Sequence, residues 1–340
     1  MMLLEFLKLP PNERRLYFEQ AGIQQNISPI VLEKDFWVCW LLGILFQTEF
    51  AQSLVFKGGT SLSKVYGVIN RFSEDIDLSL APSILDLPQA GRTRTQADKW
   101  MKAAEAACGR VIATVVMPVL EERIASVLGP ADERWLTFLD ATRAGSPIVL
   151  FHYPTALPDG FSYLPRSVRL EFGSLTDQQP SGRYQVTPWI ASSVPQAFGE
   201  WTCEVVTLEL ERTVWEKATI LHAEFHRPAT KPTPDRFSRH YADVAAMAGH
   251  TRAAAAFQNG DLCHEVAAWK SRFFGSAWAS YATAIPGSLR LVPPVERITE
   301  LRRDYLAMRA MYLDEPLSFE AVLEKLAALE SLINSTAGKF

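Results

Sequence analysis

Lys57-Gly58-Gly59-Thr60-Ser61, followed at residues 73–80 by Ser73-Glu74-Asp75-Ile76-Asp77-Leu78-Ser79-Leu80, is the stretch on which the fold reading turns. A short apolar run, Ser53–Phe56, leads into the glycines. Helical character resumes over Ser61–Val68, and from Asp75 polar and apolar residues alternate with the two-residue period of a half-buried strand. Residues two apart on a strand project from one face, about 6–7 Å apart along it. Asp75 and Asp77 can therefore hold a hard divalent cation through oxygen. Gly58 and Gly59 before a helix let the N–H groups of Gly58–Ser61 approach a phosphate at the helix start. Either half alone has an ordinary reading, a turn or a solvated strand edge. Together, 16 residues apart from Gly59 to Asp75, they read as a phosphate grip beside a metal grip, which is what nucleotidyl transfer from an NTP with Mg2+ requires.

Outward from that stretch, the 340 residues have an ordinary globular composition, with 48% hydrophobic and 21% charged residues. That excludes a disordered or collagen-like chain. Lys plus Arg is 34 and Asp plus Glu 38, a net charge of −4, so any basic surface must be local. One such region runs from Arg212 to Arg252. No apolar run is long enough to span a membrane; Phe36–Phe46 is the nearest. The N-terminal stretch makes a poor signal peptide. Cys39, Cys108, Cys203 and Cys263 form no CxxC pair and read as free thiols of a reducing compartment, which places the chain in the cytoplasm.

Ser28-Pro29 opens a helix over Pro29–Gln47 with Ser28 as N-cap. Gln96–Glu122 reads as one long helix. Pro147–Tyr153 and Ser167–Phe172 read as strands, with Arg183–Ile190 as a further stretch pairing with the second. From Glu209 onward the chain reads as helical, broken by an exposed loop at Pro228–Pro234. It ends in a helix over Phe319–Ile333 capped by Ser318, with Leu317 and Val322 as a hydrophobic staple. The expectation is an α/β (α+β) chain with a mixed domain over 1–200 and a helical domain over 201–340.

Residues 57–80 resemble the signature of the nucleotidyltransferase superfamily. More closely, they resemble the AbiEii/AbiGii toxin family of type IV toxin–antitoxin systems, which includes the MenT-type toxins. Leu32–Val38 (LEKDFWV), Val168–Gly173 (VRLEFG), Glu216–Glu224 and Arg236–Asp243 are similar to further family segments, so the likeness spans about 27–248. The last ninety or so residues are left unassigned. The resemblance implies a nucleotidyltransferase fold with a helical lobe closing a cleft. It implies Asp75 and Asp77 as the metal pair, Ser73 near the nucleotide phosphates, Lys217 on phosphate, Asp243 as an essential late acid, and a tRNA 3′ end as acceptor. It also implies a cognate antitoxin encoded nearby, without a stable complex.

Several residues keep two readings at this point. Glu171 is either a third metal ligand or an ion-pair partner of Arg169 or Arg183. Lys217 is a phosphate contact or a surface lysine, and Asp243 a site residue or a helix-face salt bridge. Arg236, Arg239 and His240 clamp a triphosphate or an RNA backbone, or simply complement a helix end. Lys57 and Lys64 flank the glycines and can assist. His222 and His226, at i, i+4, lack a third ligand and read as core or surface residues. Trp189, Trp201 and Trp215 can stack a base. Two rival functions are a nucleotidyltransferase acting on a small molecule or protein side chain, and a non-catalytic nucleotide- or RNA-binding module.

Overall fold

The computed structural model describes residues 2–88, 93–139, 146–158, 165–199, 201–274 and 276–337. They fall into two compact units: Met1–Val65, Ser73–Gln89 and Lys102–Thr207 form the first, and Tyr66–Phe72, Ala90–Met101 and Leu208–Phe340 the second. No described helix is long and apolar enough to cross a membrane.

The chain begins with helices α1 (Met2–Lys8), α2 (Pro11–Gln25) and α3 (Pro29–Leu45). Pro29 starts α3 with φ already set for a helix, but the Ser28 side chain makes no capping bond. Strand β1 (Leu54–Lys57) runs into α4 (Gly58–Lys64), which starts on the glycines themselves and ends about one turn before the expected Val68, and then comes β2 (Asp75–Leu80). The long helix expected over Gln96–Glu122 is α5 (Arg94–Val111) and α6 (Met117–Leu128) joined by a π-helical turn at Ile112–Val116. Pro118 lacks an N–H and crowds the carbonyl four residues back, and the widened turn accommodates both.

A mixed seven-stranded sheet completes the first unit. Its remaining strands are β3 (Leu136–Leu139), β4 (Ile148–Phe151), β5 (Val168–Gly173), β6 (Ser181–Val186) and β7 (Cys203–Leu208), with the short helix α7 (Pro195–Phe198) between the last two. The order is β3-β4-β5-β2-β1-β7-β6. β2 is antiparallel to β1 and parallel to β5. Thus the 183–190 stretch does not pair with β5; its strand lies at the other end of the sheet beside β7. Phe56, Ile76, Leu78, Leu170 and Phe172 share one face and are fully buried. The alternate residues of β2 and β5 form the other face, where Asp75, Asp77, Arg169 and Glu171 are half-exposed.

Helix α3 is apolar all round, yet its centre carries three buried charged residues, Glu33, Lys34 and Asp35. Each is tied to a different segment. Glu33 accepts from the Thr155 hydroxyl at 2.7 Å and from the Ala156 N–H. Lys34 is ion-paired to Glu74, directly before Asp75, and donates to the Pro165 carbonyl at 2.9 Å. Asp35 pairs with Lys64 at the end of α4, 2.6 Å away, and accepts from the Trp189 N–H at 2.7 Å. A buried charge without its partner is costly, so these pairs fix where α4 ends and β2 begins. Replacing Lys34 by Met breaks this buried ion pair, and urea denaturation should register a loss of about 3–5 kcal/mol.

The second unit contains α8 (Leu210–Phe225), α9 (Ser238–Ala248), α10 (Thr251–Ala256), α11 (Gly260–Phe273), α12 (Ile298–Ala307) and α13 (Phe319–Asn334). Ser318 caps α13 by accepting from the Ala321 N–H at 3.1 Å. Leu317 remains 45% exposed, so the expected staple is partial. The 228–234 loop is pinned by Arg297, which donates to the Pro228 and Lys231 carbonyls at 2.9 and 2.7 Å. Segment 70–72 is held by the C-terminal region. Phe72 N–H donates to Met311 O at 2.7 Å, Leu313 N–H donates to Asn70 O at 3.3 Å, and Arg71 and Tyr312 form an antiparallel bridge.

Candidate active site

In the first unit the sheet register gathers the expected acids. Asp77 lies opposite Lys57 on β1 and opposite Glu171 on β5, and Asp75 lies opposite Arg169. Neighbouring strands stand about 4.8 Å apart, so Asp75, Asp77 and Glu171 form an acidic patch on one face. Gly58 closes its edge. Its φ is +84°, and a Cβ built there would sit 2.0 Å from Asp77 Oδ2. Only glycine leaves room for that carboxylate. An all-oxygen donor set of carboxylates with an open side suits a hard divalent cation such as Mg2+. Among the described residues no three His, Cys, Asp or Glu side chains are drawn together as a finished metal cage. The Glu171 carboxylate turns instead to Arg169, 3.2 Å away on its own strand.

The α4 side chains hold the backbone in place. The Thr60 hydroxyl donates to the carbonyl oxygens of Ser73 and Asp75, fastening α4 to the start of β2. Ser61 Oγ donates to Gly58 O at 2.9 Å. These hydroxyls are committed, so a phosphate at Gly58–Ser61 would meet backbone N–H groups, which the first turn of a helix leaves without intrahelical partners. Lys64 differs from expectation. Paired to Asp35 and lying over the Trp189 ring at 4.4 Å, its side chain is 3% exposed and serves packing, not phosphate.

In the second unit Lys217 on α8 and Asp243 on α9 are brought together, with Lys217 Nζ donating to Asp243 Oδ2 at 2.9 Å. Arg71 takes both oxygens of the same carboxylate, Nε to Oδ1 and Nη2 to Oδ2, each at 2.9 Å. All three are buried. Burial alone would raise the Asp243 pKa, but Arg71 and Lys217 reverse this and hold it well below the usual carboxylate range. It is therefore a poor proton acceptor. Lys217 is pushed below the ordinary lysine value, first by burial and then by Arg71 and Arg239, against the pull of Asp243. His240, held neutral by burial and by the Lys217 and Arg239 charges, offers Nδ1 to Lys217 Nζ at 3.3 Å. Asp304 organises the start of α9. It accepts from the N–H groups of Arg236 and Ser238 at 2.7 and 2.8 Å, and Arg236 adopts a left-handed φ of 59°.

A family model described as "Nucleotidyl transferase AbiEii toxin, Type IV TA system" matches residues 40–325. The chain belongs to the AbiEii nucleotidyltransferase toxin family. It is thus a nucleotidyltransferase, and its family implies an NTP substrate and a cognate antitoxin. The solved structures it is similar to include MenT4, a nucleotidyltransferase toxin from Mycobacterium tuberculosis H37Rv. The likeness has 17% identity and a TM-score of 0.35 and covers 93% of this chain and 98% of that one. No curated protein matches it in sequence.

The AbiEii match runs to 325 and takes in most of the C-terminal stretch left unassigned from sequence; Leu32–Val38 precedes it. Within this AbiEii toxin other expectations resolve toward the core. Trp215 is fully buried and unavailable to a base. His222 is satisfied, with Nε2 near Ser280 O and Thr283 Oγ1 and with Nδ1 accepting from Arg290 N–H at 3.0 Å. The four cysteines are buried free thiols. The residue that sequence reasoning passed over is Arg71. The available signal was its place as the first residue of Arg71-Phe72-Ser73-Glu74-Asp75, a buried cation beside an acidic motif.

Proposed function

We propose that this AbiEii toxin transfers an NMP group from an NTP to an acceptor hydroxyl in a Mg2+-dependent reaction in the cytoplasm, with the 3′ end of tRNA as acceptor, and so inhibits growth. The observation that carries the reading is the in-register placement of Asp75, Asp77 and Glu171 on one sheet face beside Gly58. In this proposal Asp75 and Asp77 would hold the cation, with Glu171 as the third carboxylate beside them. When bound, Mg2+ neutralises charge on the triphosphate and on the oxygens exchanged at the α-phosphorus. The N–H groups of Gly58, Gly59, Thr60 and Ser61, together with Ser73, meet phosphate oxygens. Lys217 and Arg239 supply positive charge to the phosphates, and Asp243 positions Lys217. The acceptor oxygen bonds to the α-phosphorus as the bond to the β-phosphate's bridging oxygen breaks, pyrophosphate departs and the hydroxyl proton passes to solvent. The proposed protein partner is a cognate antitoxin encoded nearby, which need not touch the toxin.

Lys217 gives this scheme a pH signature. Below its lowered pKa the ammonium is charged and attracts phosphate; as pH rises through that value the charge is lost. The KM for NTP should therefore climb at a pH below the ordinary lysine value of about 10.4. Lys217→Arg, charged throughout, should flatten that alkaline limb in initial-rate measurements.

Incubation with each of four α-labelled NTPs, purified tRNA and cell lysate tests the acceptor. Label that enters tRNA, and fails to enter it when EDTA is present, supports the reading. Label in protein or small molecules alone replaces the acceptor while keeping the chemistry. Absence of transfer, with growth inhibition unchanged in Asp75→Ala cells, favours the non-catalytic binder.

A further inference from the structure

We propose that Arg71 is a positioning residue for nucleotide binding: by taking both oxygens of Asp243, it keeps that carboxylate from engaging Lys217 fully, so that the ammonium retains an open N–H for an incoming phosphate. The proposal rests on the reading that Lys217 meets nucleotide phosphate.

The geometry is specific. An Arg–carboxylate fork is planar and bidentate, and a lysine does not reproduce it. Arg71 is 3% exposed, and its backbone is fixed by the Tyr312 bridge and the Phe72 N–H to Met311 O bond. Its guanidinium also donates to Phe72 O at 3.3 Å. With both Asp243 oxygens occupied by Arg71, Lys217 shares Oδ2 and makes its second contact to neutral His240. An ammonium has three donors; the third has no partner among the described residues. Arg71 and Lys217 meet at the one Asp243 carboxylate, and Arg71 and Arg239 both act on Lys217 as neighbouring positive charges. A structural ion pair needs only one cation. A second cation on one buried carboxylate carries a desolvation cost, and an anion supplied from outside would offset it. The C-terminal region enters this arrangement through Met311 and Tyr312, which set where Arg71 stands.

The test is equilibrium binding of each labelled NTP with Mg2+ to the full chain, measured across pH 7 to 10 as an estimate of the useful range below the ordinary lysine value. It compares wild type with Arg71→Met, Arg71→Lys and Lys217→Met. In Arg71→Met, Asp243 keeps Lys217 as its partner, so no buried carboxylate is stranded. The pair becomes neutral, and NTP binding should weaken about thirtyfold, the scale of one lost charge-assisted contact. The groups facing Lys217 are Asp243, His240 and Arg239 from α9 and Arg71 from the 66–72 segment. With Arg71 gone a repelling charge is lost, so the alkaline limb of binding should move to higher pH, a shift that a purely structural role would not produce. Arg71→Lys keeps the charge but loses the fork, so binding should weaken, though less than in Arg71→Met, with the limb unmoved.

Wild-type affinity in Arg71→Met, or equal losses in Arg71→Met and Arg71→Lys with the limb unmoved, overturns the proposal. If Arg71→Met melts below the assay temperature, Arg71→Lys decides. A weakening smaller than that of Lys217→Met supports the positioning role, and wild-type affinity or a loss as large as that of Lys217→Met overturns it. Unimpaired NTP binding by Lys217→Met sinks the phosphate-lysine reading itself, whereas weak binding by Lys217→Met beside normal binding by Arg71→Met sinks only the role of Arg71.

Discussion

Asp77→Asn should lower nucleotide transfer by about three orders of magnitude or more while leaving the melting temperature within a few degrees of wild type. The amide matches the carboxylate in shape but carries no charge, and a hard divalent cation held by two or three carboxylates loses a principal ligand. Asp77 is half-exposed, so its neutralisation strands no buried partner. Asp75→Asn should act alike, because both side chains project from the same face of β2. Glu171→Gln should have a smaller effect, since that carboxylate is shared with Arg169 in the structure. Initial rates with saturating NTP, set beside thermal melts, separate loss of chemistry from loss of fold. Asp77→Asn with wild-type turnover would remove the acidic patch from the mechanism.

Gly58→Ala should be nearly as damaging by a different route. At φ +84° an alanine pays a steric cost of about 1–2 kcal/mol, and its Cβ would fall 2.0 Å from Asp77 Oδ2. The closest atoms belong to the Asp77 side chain, so the carboxylate must rotate away from the patch. Activity should fall about a hundredfold for a misplaced reacting group. The stability loss should stay near the backbone strain alone, as read by urea denaturation. An alanine variant with full activity would show that Asp77 need not stand where the structure places it.

The parts of the fold legible in the sequence were those with a local physical signature. The glycines ahead of α4, the alternation through Asp75–Leu80 and the alternation of Val168–Phe172 each state their period within a few residues. β3 and β7 were not legible. Leu136–Thr137-Phe138-Leu139 has only four residues, and Cys203–Leu208 runs almost directly into α8, so neither shows a clear period. Buried charge pairing was also beyond local reading. Lys64 sits on the helical face of Thr60, which suggested a phosphate role, yet Asp35, on a helix whose apolar sequence reads simply as core, captures it. Arg71 and Asp243 are 172 residues apart, and no spacing rule connects them. Lys217 and Asp243 were found through resemblance. The structure adds the reason for their pairing, namely a carboxylate that orients cations instead of accepting protons.

The most direct measurement of the central claim is calorimetric titration of Mg2+ into the wild-type chain and into Asp75→Asn and Asp77→Asn, each with a non-hydrolysable NTP analogue present. The account requires a specific Mg2+ isotherm in wild type that both variants lose while analogue binding without metal persists. Undiminished Mg2+ binding in both variants would contradict it.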